Sequence, residues 1–230
     1  MLKDLTLAFD LDGTLVETAP DLIAATNHVL QAQGLAPVAP GVIRDEISFG
    51  ARAMIEKGLK VSGVVREPSQ VDRMLADFLA HYEANIAVHS RPFPHVIDVL
   101  RECRAQGSRL VVCTNKREHL SRVLLGELAM LDLFEGIAGR DTFAVCKPHP
   151  DHLLGAIKLA GGDHQRAVMV GDSNTDISTA KAAGVPSIAV TFGYTDVPAE
   201  ELGADAVIGD YRSFHEALTR ILRGGIFTRL

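Results

Sequence analysis

Short runs of apolar and β-branched residues, each followed by polar residues, recur along the chain. The runs at 5–9, 110–113, 167–170 and 187–190 are mainly apolar throughout and do not alternate with polar positions. A strand of this kind is buried on both faces, which is typical of a parallel sheet covered by helices on both sides. The pattern therefore predicts four central strands, and the run at 206–208 is a further candidate.

Stretches with helical periodicity fill the intervals between these strands. Gly107, Gly161 and Gly184 stand where such helices would end, and glycine is favoured there because the residue after a helix often adopts a positive φ. Strands that alternate with helices predict an α/β fold with a doubly wound, mostly parallel sheet. The predicted helices span 96–106, 149–160, 174–183 and 213–222.

The segment 17–90 has a different pattern, because no convincing strand occurs in it. Its apolar residues recur at helical spacing, for example at Leu22 and Val29. We therefore predict an all-helical domain inserted after the first strand, and an α/β core formed by 1–16 together with 91–230. The predicted helices of the insert span 21–33, 51–60 and 69–87.

Composition narrows the class of protein without choosing a function. Of the 230 residues, 47% are hydrophobic, so the chain can bury a sizeable core and is not a disordered polymer. The 23 Lys+Arg against 29 Asp+Glu give a net charge of −6, which argues against non-specific binding to nucleic acid. No apolar run approaches the ~18 to 20 residues of a membrane helix, and no signal peptide is evident. With three cysteines and no CxxC pair, we expect a cytoplasmic protein with reduced thiols. We expect a monomer or a homodimer.

Polar residues follow three of the predicted strands. The first strand is followed by DLDGT at 10–14, the strand at 110–113 by TNK at 114–116, and the strand at 167–170 by a run that begins GDSNTD. In open parallel sheets, ligands bind beyond the carboxyl ends of the strands. We therefore expect these three segments to converge on one crevice.

Negative charge is concentrated in that crevice. Two like charges ~4 Å apart repel by about 4 kcal/mol at an effective dielectric of 20. The cluster therefore needs raised pKa values or a cation, and carboxylate oxygens at this density suit Mg²⁺. The aspartates concerned are Asp10, Asp12, Asp172 and Asp176.

A positive group and hydrogen-bond donors accompany the carboxylates. Lys147 stands in the segment CKPHP, whose prolines stiffen the loop, while Thr114 and Asn115 offer hydroxyl and amide donors. A cation, a lysine and such donors together make a phosphate site. Each feature alone has a plainer explanation: DLDG is a common surface turn, Thr114 a helix N-cap and Lys147 a solvated residue. Their joint occurrence after successive strands favours a catalytic site.

These segments resemble the four motifs of the haloacid dehalogenase (HAD) superfamily, and the resemblance covers almost the whole chain. FDLDGTL at 9–15 and VGDSNTD at 170–176 are specific for it, and Lys147-Pro148 with Pro150 is typical of its phosphoglycolate phosphatase-like branch. The resemblance implies a Rossmann-like core with an inserted helical cap. It also implies a Mg²⁺-dependent phosphatase of a small phosphorylated metabolite, and it favours 2-phosphoglycolate as that metabolite.

The same resemblance implies a role for each aspartate. Asp10 is the nucleophile that forms an aspartyl-phosphate, and Asp12 is the general acid for the leaving alcohol and then the base that activates water. Mg²⁺ is held by the Asp10 carboxylate, the Asp12 backbone carbonyl and the Asp172 carboxylate. Asp176 supports the metal through water or orients Lys147. A dehalogenase would not need Asp12, because halide leaves unprotonated, so its presence favours phosphoryl transfer.

Substrate contacts are implied in both parts of the chain. Thr114, Asn115 and Lys147 clamp the transferring phosphoryl group, and Gly13 permits a close turn of the backbone there. In the cap, a glycine precedes Arg52 near the start of a predicted helix. We hypothesise that Arg52 pairs with a substrate carboxylate, since its planar fork suits one; the alternative is a solvated helix arginine.

Other functions stay open at this stage. A phosphatase of another sugar phosphate or of a nucleotide fits the same motifs, and a phosphosugar mutase is a rival. The related mutases usually lack Thr14 and carry cap acid–base residues that this sequence does not show. An inactive metabolite-binding module is the alternative outside enzymes, and the intact aspartates and lysine argue against it.

Overall fold

The computed structural model describes residues 2–195 and 197–224. The chain forms two compact units, Met1–Glu17 with Pro92–Leu230, and Thr18–Arg91. The strands are β1 Thr6–Phe9, β2 Val16–Glu17, β3 Arg91–Pro92, β4 Arg109–Cys113, β5 Gly136–Ala138, β6 Ala167–Gly171, β7 Ser187–Val190 and β8 Ala206–Ile208.

Six of these strands form one parallel sheet in the order β5-β4-β1-β6-β7-β8. β1 lies at its centre, where Ala8 is in register with Val111 on one side and with Met169 on the other. All four residues of β1 are buried, as its apolar run predicts. The predicted α/β fold with a mostly parallel sheet is confirmed. The remaining strands, β2 and β3, pair with each other in a two-stranded sheet.

Alternate residues of each strand point to opposite faces of the sheet. Both sets are buried in the central strands, and helices cover both faces. On one side, Ala8 and Val111 pack with Leu153, which lies on the helix at 150–159. On the other side, the ring of Phe9 stacks on Phe214, the first residue of the helix at 214–223, with the centroids 6.0 Å apart. The helices are α1 Ala19–Ala32, α2 Pro40–Ile43, α3 Ala51–Val61, α4 Pro68–Ala84, α5 Val96–Ala105, α6 Glu118–Glu127, α7 Pro150–Leu159, α8 Asn174–Ala182 and α9 Phe214–Arg223.

The sequence pattern does not predict β5 or α6. β5 has three residues, one of which is glycine, so it lacks the β-branched run that marks the other strands. α6 buries Leu120 and Leu124 on one face, and this i, i+4 spacing is typical of a helix. α6 could therefore have been predicted, whereas β5 depends on pairing with β4.

The second unit contains α1 to α4, and hydrogen bonds made by Asn27 and Asp21 fix two of its loops. Asn27 bonds both the N–H and the carbonyl of Val38, at 2.8 and 3.1 Å. The buried Asp21 carboxylate accepts hydrogen bonds from the backbone N–H groups of His89 and Ser90 and from the Ser90 hydroxyl. Across the described ranges, no helix is long and apolar enough to cross a membrane.

Candidate active site

The tips of the central strands bring the predicted site segments to one edge of the sheet. Phe9 is in register with Val112 on β4 and with Val170 on β6. The N–H of Asp10 extends this pairing by donating to the Val170 carbonyl at 2.9 Å. The residues that follow β1, β4 and β6 therefore begin at the same level, as the carboxyl ends of parallel strands do.

Three carboxylates meet at this edge. One ligand oxygen from each of Asp10, Asp172 and Asp176 lies within 4.8 Å of the others. Asp172 is held by the Thr14 hydroxyl at 2.9 Å and by the backbone N–H of Tyr194 at 2.7 Å. The sequence offers no signal for Tyr194, because it follows a different strand, β7, whose tip lacks a recognisable motif.

Lys147 places an ammonium group among these carboxylates. Its Nζ lies 2.9 Å from Asp10 Oδ1 and 2.5 Å from Asp176 Oδ1, and the residue is 3% exposed. Burial alone would lower the pKa of Lys147, but the charges of Asp10 and Asp176 outweigh burial and raise it. The other oxygen of Asp176 accepts hydrogen bonds from the N–H and the hydroxyl of Ser173 at the start of α8. Both Asp176 oxygens are thus engaged by protein groups.

The charge balance of this cluster calls for a cation. Three ionised carboxylates and one ammonium give −3 + 1 = −2. Burial, opposed by Lys147 and reinforced by Asp176, raises the pKa of Asp10 from 3.8 to about 6, and burial also raises the pKa of Asp172 well above its usual value. Asp10 Oδ1 is buried and forms an ion pair with Lys147 Nζ at 2.9 Å, so a single ammonium serves both Asp10 and Asp176. Hard carboxylate oxygens and a deficit of two positive charges fit a divalent cation such as Mg²⁺.

Asp12 has a partner that the sequence interpretation did not assign. Lys116 Nζ lies 3.0 and 3.1 Å from its two carboxylate oxygens. The Lys116 side chain is 6% exposed and that of Asp12 is 19% exposed, so water screens this ion pair only in part. The signal was present in the sequence, since Lys116 directly follows the Thr-Asn pair at the tip of β4.

Gly13 occupies a position that no other residue could fill without displacement. Its φ is +84°, and a Cβ there would lie 2.5 Å from Asp172 Oδ2 and 2.9 Å from the Tyr194 ring. The turn after Asp10 therefore requires glycine for its conformation and for its close approach to Asp172.

Thr114 and Asn115 organise the loops of the site. The Asn115 side-chain amide donates to the backbone carbonyl of Lys147 at 2.9 Å, and its Oδ1 is buried without a hydrogen-bond partner among the described residues. The Thr114 hydroxyl accepts from the N–H of Lys116 at 3.2 Å. The Asn115 bond links the tip of β4 to the Lys147 loop, whereas the Thr114 bond lies within that tip. Contact of either side chain with a phosphoryl group stays a prediction.

Arg52 belongs to the second unit. There it forms ion pairs with Asp72 and, at 3.7 Å, with Glu56, and its side chain is 42% exposed. The hydrogen bond to Asp72 raises the pKa of Arg52. Its predicted contact with a substrate carboxylate is not tested by this pairing and stays a prediction.

Comparison with known proteins identifies the family. The model of the haloacid dehalogenase-like hydrolases matches residues 7–190. The chain belongs to this family. It is 42% identical over 96% of its length to a phosphoglycolate phosphatase of Caulobacter vibrioides, of which 93% is covered. It is 46% identical over 91% of its length to one of Agrobacterium fabrum, of which 90% is covered.

Solved structures of the family have the same fold. A crystal structure of a predicted phosphoglycolate phosphatase from Haemophilus somnus superposes with a TM-score of 0.87 at 26% identity, and the match covers 95% of this chain and 99% of that one. The resemblance inferred from the motifs is thereby confirmed.

Proposed function

We propose that this hydrolase is a Mg²⁺-dependent phosphatase of 2-phosphoglycolate that works through an aspartyl-phosphate on Asp10. The observation that carries the proposal is the meeting of three carboxylates and the Lys147 ammonium at the strand tips. The names of the relatives from Caulobacter and Agrobacterium support the substrate.

Asp10 is the nucleophile in the proposed reaction. Its carboxylate attacks the phosphorus atom while the bond to the alcohol oxygen breaks, and water later attacks the same phosphorus to release phosphate and free Asp10. Lys147 neutralises charge on the attacking carboxylate and the phosphoryl oxygens. Asp176 orients Lys147, because its oxygens are already engaged by Lys147 and Ser173.

The residues that would hold Mg²⁺ are the carboxylates of Asp10 and Asp172 and the backbone carbonyl of Asp12. When bound, the ion supplies positive charge that reduces repulsion between the Asp10 carboxylate and the anionic substrate. Thr14 and Tyr194 keep Asp172 in place for this purpose through their hydrogen bonds to its two oxygens.

Asp12 is the proton carrier in the proposed reaction. It gives a proton to the departing alcohol and later takes one from the attacking water. Lys116 holds both carboxylate oxygens of Asp12, and thereby fixes the direction in which the carboxyl group points before substrate arrives.

A panel of phosphate esters tests the proposed function. We expect release of phosphate with Mg²⁺, and a kcat/KM for 2-phosphoglycolate at least ~10-fold above those for 3-phosphoglycerate, glucose 6-phosphate and a nucleoside monophosphate. A higher value for another ester would reassign the substrate. An isomerised product without free phosphate would indicate a mutase, and binding without turnover would indicate the inactive module.

Replacing Lys116 by Met tests the role of its ion pair with Asp12. We expect kcat for 2-phosphoglycolate to fall by about 10²-fold, since a misplaced proton carrier loses part of the ~10² to 10⁴ that acid–base catalysis contributes. Hydrolysis of p-nitrophenyl phosphate should fall less, because p-nitrophenolate leaves without a proton. Lys158→Met, at an exposed lysine of α7, is the matched control. Equal losses with both substrates would contradict this role.

A further inference from the structure

A buried histidine, His152, lies behind the Lys147 loop. It is in the first turn of α7 and has no exposed surface. Its Nδ1 accepts a hydrogen bond from the backbone N–H of Lys147 at 3.1 Å, and its Nε2 lies 3.1 Å from the carbonyl oxygen of Gly139, just after β5. His152 thus connects the Lys147 loop to the end of a sheet strand.

The two partners determine the tautomer of the ring. The Lys147 amide is a donor, so Nδ1 must be the accepting nitrogen, and the Gly139 carbonyl is an acceptor, so Nε2 must carry the hydrogen. Burial, and then the nearby charge of Lys147, lowers the pKa of His152 to about 4. The ring is therefore neutral at any pH near 7, and both of its nitrogens are engaged.

Lys147 is held by side chains at both of its backbone polar groups. His152 accepts from its N–H, while Asn115 donates to its carbonyl at 2.9 Å. The side chain of Lys147 then extends to Asp10 and Asp176. A shift of ~1 Å in the backbone would move the ammonium relative to the nucleophile, and such a misplacement can lower a rate by about 10²-fold.

We propose that His152 is a positioning residue for Lys147, whose ring acceptor holds the lysine backbone where the ammonium reaches Asp10. The inference rests on the proposed function, because that function uses Lys147. The alternative is a histidine that only fills the space between Phe143, whose ring it meets edge-on at 6.0 Å, and Cys113, whose Sγ lies 3.9 Å from Nδ1.

Two amide variants separate these roles, because each retains one of the two nitrogen positions. In His152→Asn the side-chain oxygen stands where Nδ1 stood and can accept from Lys147. In His152→Gln the amide nitrogen stands near the position of Nε2 and can donate to Gly139, but no acceptor remains for Lys147. We expect His152→Gln to lower kcat/KM by about 10²-fold and His152→Asn to stay within about tenfold of wild type, since only a neutral hydrogen bond is lost.

A double variant tests whether His152 acts through Lys147. In Lys147→Met, where no ammonium remains to be positioned, adding His152→Gln should change the residual rate by less than about twofold. Equal losses in the two backgrounds, or an Asn variant as impaired as the Gln variant, would overturn the proposal. If His152→Gln does not fold, a folded His152→Asn decides alone: retained activity supports the role and a ~10²-fold loss refutes it.

Crystal structures of the two variants give a readout that does not depend on activity. Lys147 Nζ should stay within hydrogen-bond reach of Asp10 in His152→Asn and move by about 1 Å or more in His152→Gln. An unmoved lysine in both structures would refute positioning by His152. If wild-type protein hydrolyses no phosphate ester, the proposed function fails, while these structures still decide whether His152 positions Lys147.

Discussion

Replacing Asp10 by Asn is expected to lower kcat for every phosphate ester by at least ~10³-fold, because loss of a covalent nucleophile leaves only binding and charge stabilisation. The amide cannot form the acyl-phosphate bond, although it has nearly the same shape and can still accept a hydrogen bond from Lys147. Initial rates of phosphate release at saturating substrate measure the effect.

Stability measurements show whether the lower activity of Asp10→Asn comes from loss of the nucleophile or from loss of folding. Burial raises the pKa of Asp10 to about 6, and the charge of Asp176 reinforces that rise, so the ionised group is unfavourable in the metal-free protein. Removing its charge should leave Tm unchanged or higher at pH 7. Asp98→Asn, at an exposed aspartate of α5, is the matched control and should keep full activity. Substantial hydrolysis by Asp10→Asn would reject Asp10 as the nucleophile.

The acidic cluster and Lys147 could be found from the sequence because each follows a recognisable local pattern. Asp10 and Asp172 come directly after continuous apolar runs, and parallel strands deliver their carboxyl ends to one edge. Lys147 lies between two such strands, in the segment CKPHP, which contains two prolines. The prediction needed only that the strands are parallel, and the observed sheet places β4 and β6 on either side of β1.

The pairing of the supporting residues was not predicted, because it arises from contacts between segments that are distant in the sequence. Lys116 follows a predicted strand, but its partner Asp12 lies 104 positions away, and Tyr194 contacts Asp172 across 22 positions. The role of His152 was not predicted, because a histidine on the apolar face of a helix is ordinarily a core residue. Its ring acquires a role near the site only because the Lys147 N–H lies next to it, and the sequence does not predict the position of the Lys147 loop.

The short β5 escaped prediction for a different reason. Its three residues carry too little apolar pattern, and pairing with β4 creates the strand. The consequence reaches the site, because the carbonyl of Gly139, directly after β5, is the acceptor for His152. A local pattern thus located the acids, while the framework that holds the lysine needed the tertiary structure.

Removal of divalent cations is expected to abolish activity and also to change stability in a way that depends on pH. The folded-state pKa of Asp10 is about 6 against 3.8 for a free carboxyl. The folded protein therefore binds more protons than the unfolded chain between these values, so the free energy of unfolding of the metal-free protein falls as pH rises from about 4 to 6. At about 1.4 kcal/mol per pKa unit, Asp10 alone contributes a loss of up to about 3 kcal/mol. Asp172 has the same sign.

Mg²⁺ should reverse this loss because it binds the ionised carboxylates. At a hundredfold excess over Kd it adds about 2.7 kcal/mol, which raises Tm by roughly 5 to 10 °C in a chain of this size. The increase should be large at pH 7.5 and much smaller at pH 5, where Asp10 is mostly protonated. Differential scanning calorimetry with EDTA or Mg²⁺ at both pH values measures the increase in Tm, with phosphate release assayed in parallel.

Asp172→Asn should lose both the increase in Tm and the activity, whereas Asp98→Asn should keep both. An equal increase at the two pH values, or one that persists in Asp172→Asn, would place the cation outside this cluster.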